Sequence, residues 1–417
     1  MRKMQKWIAA CVCGTMLCTG LAGCGEQKLP EQEIRFVTVE DGVIQQAHTD
    51  ALADVSYELL RQTAAVEEEN LLLSPVSAWL ALSMAGQGAA GETADAFAEF
   101  SQHIPVEEQK VLAAWLMEYL GQSEADMDMA NSVWCDDELT VEEDFISTVQ
   151  QYYRAEVLAQ DLQARNAVKK VNRWIADATD DRIPDMLKEI DEDAVMLLVN
   201  ALTLDADWQN QFDAGDTFAQ TFYMADGTEK KIDFMHQRYG QADYLAWDGG
   251  QGMVLPYEDG RLAMIALLPE ETSDCNAVLE QLSADWVSEL LIQKRQSAMV
   301  QLSMPKFEMA SSVNLNDVCK AMGLAPAFDG RLADFSNLGT ADNGYPVYIN
   351  RVLQNCTLNV AEEGTEAAAA TIVEMVADGA ARDPEQLIDL QLNHPFVYLI
   401  LDMETQIPLF AGVYQGE

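Results

Sequence analysis

The sequence predicts a single large α+β domain. Segments with helical hydrophobic spacing crowd the first half of the chain, and apolar or alternating runs suited to strands crowd the second. No low-complexity linker and no internal repeat divides them. A chain of 417 residues has the length for two or three domains. Lacking a linker, it reads as one domain over residues 42–417, preceded by a leader (1–23) and a tether (24–41).

The helical segments come first. Ala47, Ala51, Val55 and Leu59 recur at helical spacing, with Leu52 and Leu60 widening the stripe. Ser74-Pro75 combines a capping hydroxyl with a first-turn proline and opens a helix running to about Gly86. Val111, Leu112, Trp115, Leu116, Tyr119 and Leu120 mark another, closed by Gly121. Thr140 with Glu143 forms a capping box ahead of Phe145 and Val149. Asn166 is placed to cap a helix containing Val168, Val171, Trp174 and Ile175.

Strand signals follow. The nearly continuous apolar run from Ala194 to Leu204 suits a central strand buried on both faces. Leu262 to Leu268 is a second, stopped by Pro269, and Met299 to Phe307 alternates. Leu315 to Met322 is a late helix ended by Gly323. Phe396 to Leu401 and Ile407 to Tyr414 close the chain as a hairpin.

The N-terminus has the order of an export signal. Arg2, Lys3 and Lys6 precede an apolar core, Trp7 to Leu17, too short to span a bilayer as a permanent helix. Leu21-Ala22-Gly23-Cys24 resembles the lipobox of bacterial lipoproteins, in which the chain is cut before the cysteine and the cysteine carries lipid. The expected location is therefore outside the cell membrane, anchored by lipid at Cys24. The formal net charge is −44, and losing the basic leader makes it more negative. That balance argues against nucleic acid or anionic lipid as a partner recognised by charge.

Four cysteines remain beyond Cys24: Cys135, Cys275, Cys319 and Cys356. None forms a CxxC pair. In an exported protein they are open to disulfide formation or to burial as free thiols. The four histidines are scattered and no HExxH occurs, so neither a metal nor a cofactor is expected.

The most informative stretch is Glu362-Glu363-Gly364-Thr365-Glu366-Ala367-Ala368-Ala369-Ala370-Thr371. Its alanines favour a helix. Read with period 2 it is a strand with two different faces. Thr365, Ala367, Ala369, Thr371, Val373 and Met375 share one. Glu366, Ala368, Ala370, Ile372, Glu374 and Val376 share the other, which carries the acids. Such a segment suits a loop and also a buried strand.

This pattern resembles the hinge of the reactive-centre loop in serpins, and the resemblance extends from about Asp50 to Tyr414. Asn70-Leu71-Leu72-Leu73-Ser74-Pro75-Val76-Ser77 is similar to the start of the family's second helix, and Gly88-Ala89-Ala90-Gly91-Glu92-Thr93 follows at the usual distance. Leu198-Val199-Asn200-Ala201 with Trp208 resembles its central-strand signature. Phe222 to Thr228, Leu255-Pro256-Tyr257, Asn393-His394-Pro395-Phe396 and Leu409-Phe410-Ala411-Gly412 also fit.

The resemblance implies three β-sheets, about nine helices and an exposed reactive-centre loop. It implies a monomeric, non-enzymatic inhibitor whose partner is a serine protease. The protease cuts the loop, is acylated, and is trapped when the freed segment inserts into the central sheet. It implies a sheet-opening cluster of Ser74, Ser77 and Asn200, with Gln354 where the family usually has a histidine; glutamine both donates and accepts. It also implies contacts at the top of the sheet among Lys306, Glu362 and Trp208. Family spacing places the cut bond at Asp378-Gly379. Val376 and Ala377 suit elastase-like pockets and rank first, Asp378 second, and Arg382, followed by Asp383-Pro384, third.

Rival readings are a non-inhibitory serpin acting as a lipid-anchored binding or chaperone-like protein, a lipoprotein hydrolase, and a solute-binding lipoprotein. No G-x-S-x-G elbow supports the hydrolase, and the hinge is unexplained in a solute-binding protein.

Overall fold

The computed structural model describes residues 34–365 and 387–416, apart from 68, 184–186, 193, 271–273, 342, 343 and 345. The chain opens with α1 (Gln46–Ala64), β1 (Leu71–Leu73), α2 (Pro75–Gly86), α3 (Gly91–Phe100) and α4 (Val106–Leu120). It continues through β2 (Asp126–Cys135), β3 (Leu139–Val141), α5 (Glu143–Tyr152), β4 (Glu156–Ala159), α6 (Ala167–Ala178) and β5 (Met196–Asp207). Then come β6 (Thr217–Tyr223), β7 (Glu229–Trp247), β8 (Gly250–Pro256), β9 (Leu262–Pro269), α7 (Cys275–Leu279) and α8 (Ala284–Gln293). The last part holds β10 (Arg295–Pro305), β11 (Phe307–Asn314), α9 (Asn316–Cys319), β12 (Gly339–Ala341), β13 (Leu353–Val360), β14 (Gly364–Thr365), β15 (Ile388–Gln391), β16 (Phe396–Asp402) and β17 (Pro408–Tyr414).

Among the described residues these make three sheets. A six-stranded sheet runs β11-β13-β14-β5-β2-β4. A nine-stranded one runs β1-β17-β16-β9-β8-β7-β10-β15, with β6 added to β7, and β3 pairs with β12. The predicted α+β architecture of three sheets and about nine helices is observed, with nine α-helices among the described residues.

Burial follows the sequence pattern. Every residue of β9, β16 and β17 is buried, as their unbroken apolar runs require. α2 is buried at every position but Ala81 and packs against β5 and β17. A helix apolar all round belongs inside a core.

Four local expectations need correction. The alternating run from Met299 to Phe307 is two strands, because β10 ends at Pro305 and β11 starts at Phe307 in another sheet. Thr140 lies in β3, paired with Thr340 of β12, so it cannot cap α5, whose capping residue is Glu142. Ser74 sits at the start of α2, but its hydroxyl donates to the Leu409 carbonyl at 2.8 Å and not to the helix. Asn166 precedes α6 without a side-chain capping bond. Gly121 does close α4 as expected, in right-handed conformation with φ −65°.

The turn after α6 is strained. Asp180 and Asp181 both take left-handed φ, 46° and 62°, a region costly for side chains with a Cβ. The turn delivers Arg182 onto the six-stranded sheet. Its guanidinium lies 3.1 Å from Asp128 and 3.5 Å from Asp126, both on β2, and 3.4 Å from Asp205 on β5. Burial pushes the Asp205 carboxyl up; Arg182 opposes that, and Asp126 and Asp207 add to it.

Candidate functional site

The hinge begins inside the six-stranded sheet. β14 enters between β13 and β5, with Gly364 opposite Asp207 and Thr365 opposite both Ala206 and Val360. Gly364 is required there, because a Cβ would collide with the Ala206 carbonyl oxygen and stand 2.7 Å from Asp207 Cα. Thr365 has no exposed surface. Its hydroxyl is 2.6 Å from the hydroxyl of Tyr257, itself fully buried. Tyr257 stacks on Trp208 with ring centroids 4.6 Å apart and planes 9° from parallel. Burial drives the Tyr257 phenol well above its usual range, against the pull of the Thr365 bond. The phenol therefore stays neutral, and either hydroxyl can donate in this bond.

The predicted contacts at the top of the sheet are present. Lys306 Nζ donates to Glu362 Oε2 at 2.6 Å, and the Thr217 hydroxyl donates to Oε1 at 2.9 Å. Trp208 donates its indole N–H to the Ala361 carbonyl at 2.9 Å and its backbone N–H to the Glu363 carbonyl at 2.8 Å. The Phe212 N–H holds the Glu362 carbonyl at 2.9 Å. Burial raises the pKa of Glu362, but the bonds from Lys306, its own backbone and Thr217 outweigh it. They hold the carboxyl below the usual glutamate range.

Beyond this two-residue wedge no pairing joins β5 to β13 among the described residues. β5 pairs with β2 from Asp126–Asp205 to Cys135–Met196, and β13 pairs with β11 along its whole length. Among the described residues, the facing edges of β5 and β13 pair only with β14. A cavity of about 940 Å³ fills the seam, lined by residues 194–200 and 346–355, by Ser77, Ala78 and Leu82 of α2, and by Val171 and Ile175 of α6. Met196, Leu197 and Leu198 are accordingly half-buried where full burial was expected.

The predicted sheet-opening cluster lines this seam but divides in two. Gln354 Nε2 donates to the Ser74 carbonyl at 2.7 Å, and the Ser74 N–H donates back to Gln354 Oε1 at 3.1 Å. Separately, Ser77 bonds the Asn200 side-chain oxygen, and Asn200 Nδ2 donates to Asn131 Oδ1 at 2.6 Å. Gln354 thus grips the backbone before α2 and does not join Ser77 to Asn200. Asn131 escaped sequence reasoning, as did the roles of Tyr257 and Thr217. Asn131 faces Asn200 only through strand register, 69 residues away in sequence.

The remaining candidates, Cys24, Glu366, Ala367, Ala368, Ala369, Ala370, Thr371, Val376, Ala377, Asp378, Gly379 and Arg382, lie outside the described residues. The four cysteines Cys135, Cys275, Cys319 and Cys356 are free and buried.

The model of the family described as "Serpin (serine protease inhibitor)" matches residues 50–415. An uncharacterized serpin-like protein of Thermococcus kodakarensis is 31% identical over 373 residues, 87% of this chain and 84% of its own length. Serpin B4 of Homo sapiens is 28% identical over 88% of this chain and 99% of its own. Among solved structures, the native state of the thermophilic serpin Tengpin is similar with a TM-score of 0.83 at 29% identity, covering 92% of this chain and 98% of that one. Tengpin's latent state gives 0.76 at 26% identity, covering 91% and 100%.

Proposed function

The chain belongs to the serpin family, and from that premise we propose that it is a suicide-type inhibitor of serine proteases, directed at elastase-like enzymes. The observation that carries the reading is the wedge. Thr365, the first residue of the small-residue face, is seated between β5 and β13 at the mouth of an unpaired seam.

In the proposed mechanism the target attacks the loop and is acylated, and the segment following Thr365 zips into the seam before deacylation. Continuing the antiparallel register from Thr365 opposite Ala206, each later loop residue meets one residue earlier in β5. Met375 then meets Met196, where β5 starts. The bond beside Val376 or Ala377 falls at the end of the available strand, which keeps these residues ahead of Asp378 and Arg382. Thr365, Ala367 and Ala369 lead with little bulk. Val373 and Met375 enter last and contribute about 1.5–3 kcal/mol each on full burial. Ladder bonds add about 0.5–1.5 kcal/mol apiece. We also propose that Cys24 carries lipid and holds the protein on the outer face of the membrane.

The test is incubation of the full chain with a panel of serine proteases. A complex stable in denaturing detergent, with the acyl bond at residue 376 or 377 by mass spectrometry, supports the reading. So does a sharp rise in melting temperature after loop cleavage, because an added strand completes the sheet. Clean cleavage between residues 376 and 382 with unchanged melting and no complex would remove it. An acyl bond at Arg382 without elastase inhibition would move the reactive bond while keeping the inhibitor. For the anchor, Cys24→Ala should abolish partitioning into a detergent phase.

A further inference from the structure

One arginine spans the seam at the end away from the wedge. Arg351 lies just ahead of β13, and its three guanidinium nitrogens each meet an acceptor on the segment that leads into β5. Nη2 donates to the Glu189 carbonyl at 2.8 Å, and Nη1 donates to Glu189 Oε1 at 3.2 Å. Nε lies 3.3 Å from Asp191 Oδ2. Both Arg351 and Asp191 line the seam cavity, to which Leu187 and Glu192 also contribute.

An asparagine braces the backbone at each end of this span. On one side, Asn172 of α6 accepts from the Leu187 N–H at 2.7 Å and donates to the Leu187 carbonyl at 2.7 Å. Leu187 and Ile190 also pack on the apolar cluster that joins α6 to β5 through Val171, Ile175 and Val199. Residues 187–191 therefore belong with β5. On the other side, Asn316, the first residue of α9, donates to the Asn350 carbonyl at 2.8 Å and accepts from the Val352 N–H at 2.7 Å. It grips the residue on either side of Arg351. The backbone that carries the guanidinium is thus fixed to α9 and cannot follow residues 187–191 when β5 and β13 part.

We propose that Arg351 is a clasp across the seam, whose release sets how fast a further strand can seat between β5 and β13. This inference rests on the insertion reading given above. A strand entering at the wedge widens the seam from one end, while the clasp holds the other end at a fixed span. Exposed ion pairs contribute little by themselves, and Glu189 and Asp191 keep much of their side-chain surface in water. The bond from the cationic Nη2 to the Glu189 carbonyl is therefore the strongest of the three. The planar fork is what allows all three at once. A lysine in its place offers one point charge and cannot meet three separated acceptors together.

The test is uptake of a synthetic peptide, with the sequence of residues 366–377, by the intact full chain. Uptake is followed as growth of a species with raised melting temperature. Arg351→Ala should take up the peptide about tenfold faster than wild type, the effect of removing one charge-assisted hydrogen bond from the closed state. Arg351→Lys, the milder change, should fall between the two and carries the comparison by itself if the alanine variant does not fold. Arg173→Ala removes an exposed ion pair to Asp177 within α6 and should match wild type. Amide exchange of residues 187–191, measured without peptide, should rise in Arg351→Ala. Equal or slower uptake by both Arg351 variants would overturn the clasp and leave the insertion reading standing. No uptake by wild type or by any variant would remove the two together.

Discussion

Removing one hydroxyl from the wedge should cost more than removing two. Tyr257 and Thr365 meet hydroxyl to hydroxyl at 2.6 Å, with neither residue exposed. Tyr257→Phe keeps the ring on Trp208, so the 4.6 Å stack survives, but it strands the Thr365 hydroxyl in a dry site. An unsatisfied buried group costs about 1–3 kcal/mol. Thr365→Val strands the Tyr257 hydroxyl at a similar cost. The double variant leaves nothing unpaired and should lose about 1 kcal/mol or less, since exchanging both partners for apolar groups of like shape is nearly neutral. The two single losses, about 2–6 kcal/mol together, should therefore exceed the double loss by at least about 1 kcal/mol. Urea unfolding of the four uncleaved proteins, compared at a common slope, measures this coupling. Single losses that simply add would mean the two hydroxyls do not depend on one another, and the wedge would have to be held by backbone pairing alone.

Three further outcomes follow from the same geometry. Thr365→Arg would bury an unpaired guanidinium beside the Trp208–Tyr257 stack at about 3–5 kcal/mol. The variant should be cleaved as a substrate, and an unchanged stoichiometry of inhibition would contradict the insertion path. Lys306→Ala should lose about 1 kcal/mol at neutral pH, the value of a charge-assisted bond discounted because Lys306 is 43% exposed. Glu362 is depressed in the fold, so that contribution is present above the ordinary glutamate range and fades as pH falls through the folded pKa. A deficit in Lys306→Ala that grew on acidification would have the wrong sign. Burial pushes the thiols of Cys135, Cys275, Cys319 and Cys356 up to about 12. They should resist alkylation in the native protein and react in urea; native-rate labelling of Cys356 would place β13 outside the sheet.

Where one local pattern decided the structure, the sequence was readable. Ser74-Pro75 announced α2, and the apolar runs announced β9 and the β16–β17 hairpin, because total burial leaves no polar residue to blur the signal. β2 was missed because acids alternate with methionine at its start, and those acids turn toward Arg182, which comes from another element. β7 was missed because its 19 residues are mostly exposed or half-exposed and mix charge with aromatics. Lys306 hides a change of sheet inside one alternating run. At the candidate site, the ends of each interaction were legible as motifs, and Lys306–Glu362 met as expected. The division of the cluster, with Gln354 on the Ser74 backbone and Asn131 completing Asn200, depends on register between distant strands. No local pattern encodes that.

Arg182 bears on how the sheet yields. One guanidinium bolts the foot of α6 to two adjacent strands. Parting β5 from β2 would take Arg182 away from Asp205 on one strand or from Asp126 and Asp128 on the other. Parting β5 from β13 disturbs the two-residue wedge, the seam and the Arg351 contacts. Strand displacement of the kind we propose would follow one line of weakness, with β2, β5 and α6 moving as a slab. Added salt, which screens exposed ion pairs, loosens the slab internally while leaving the apolar seam intact. On the proposed mechanism, ionic strength and loop insertion would act, Arg351 apart, on different joints of the same sheet.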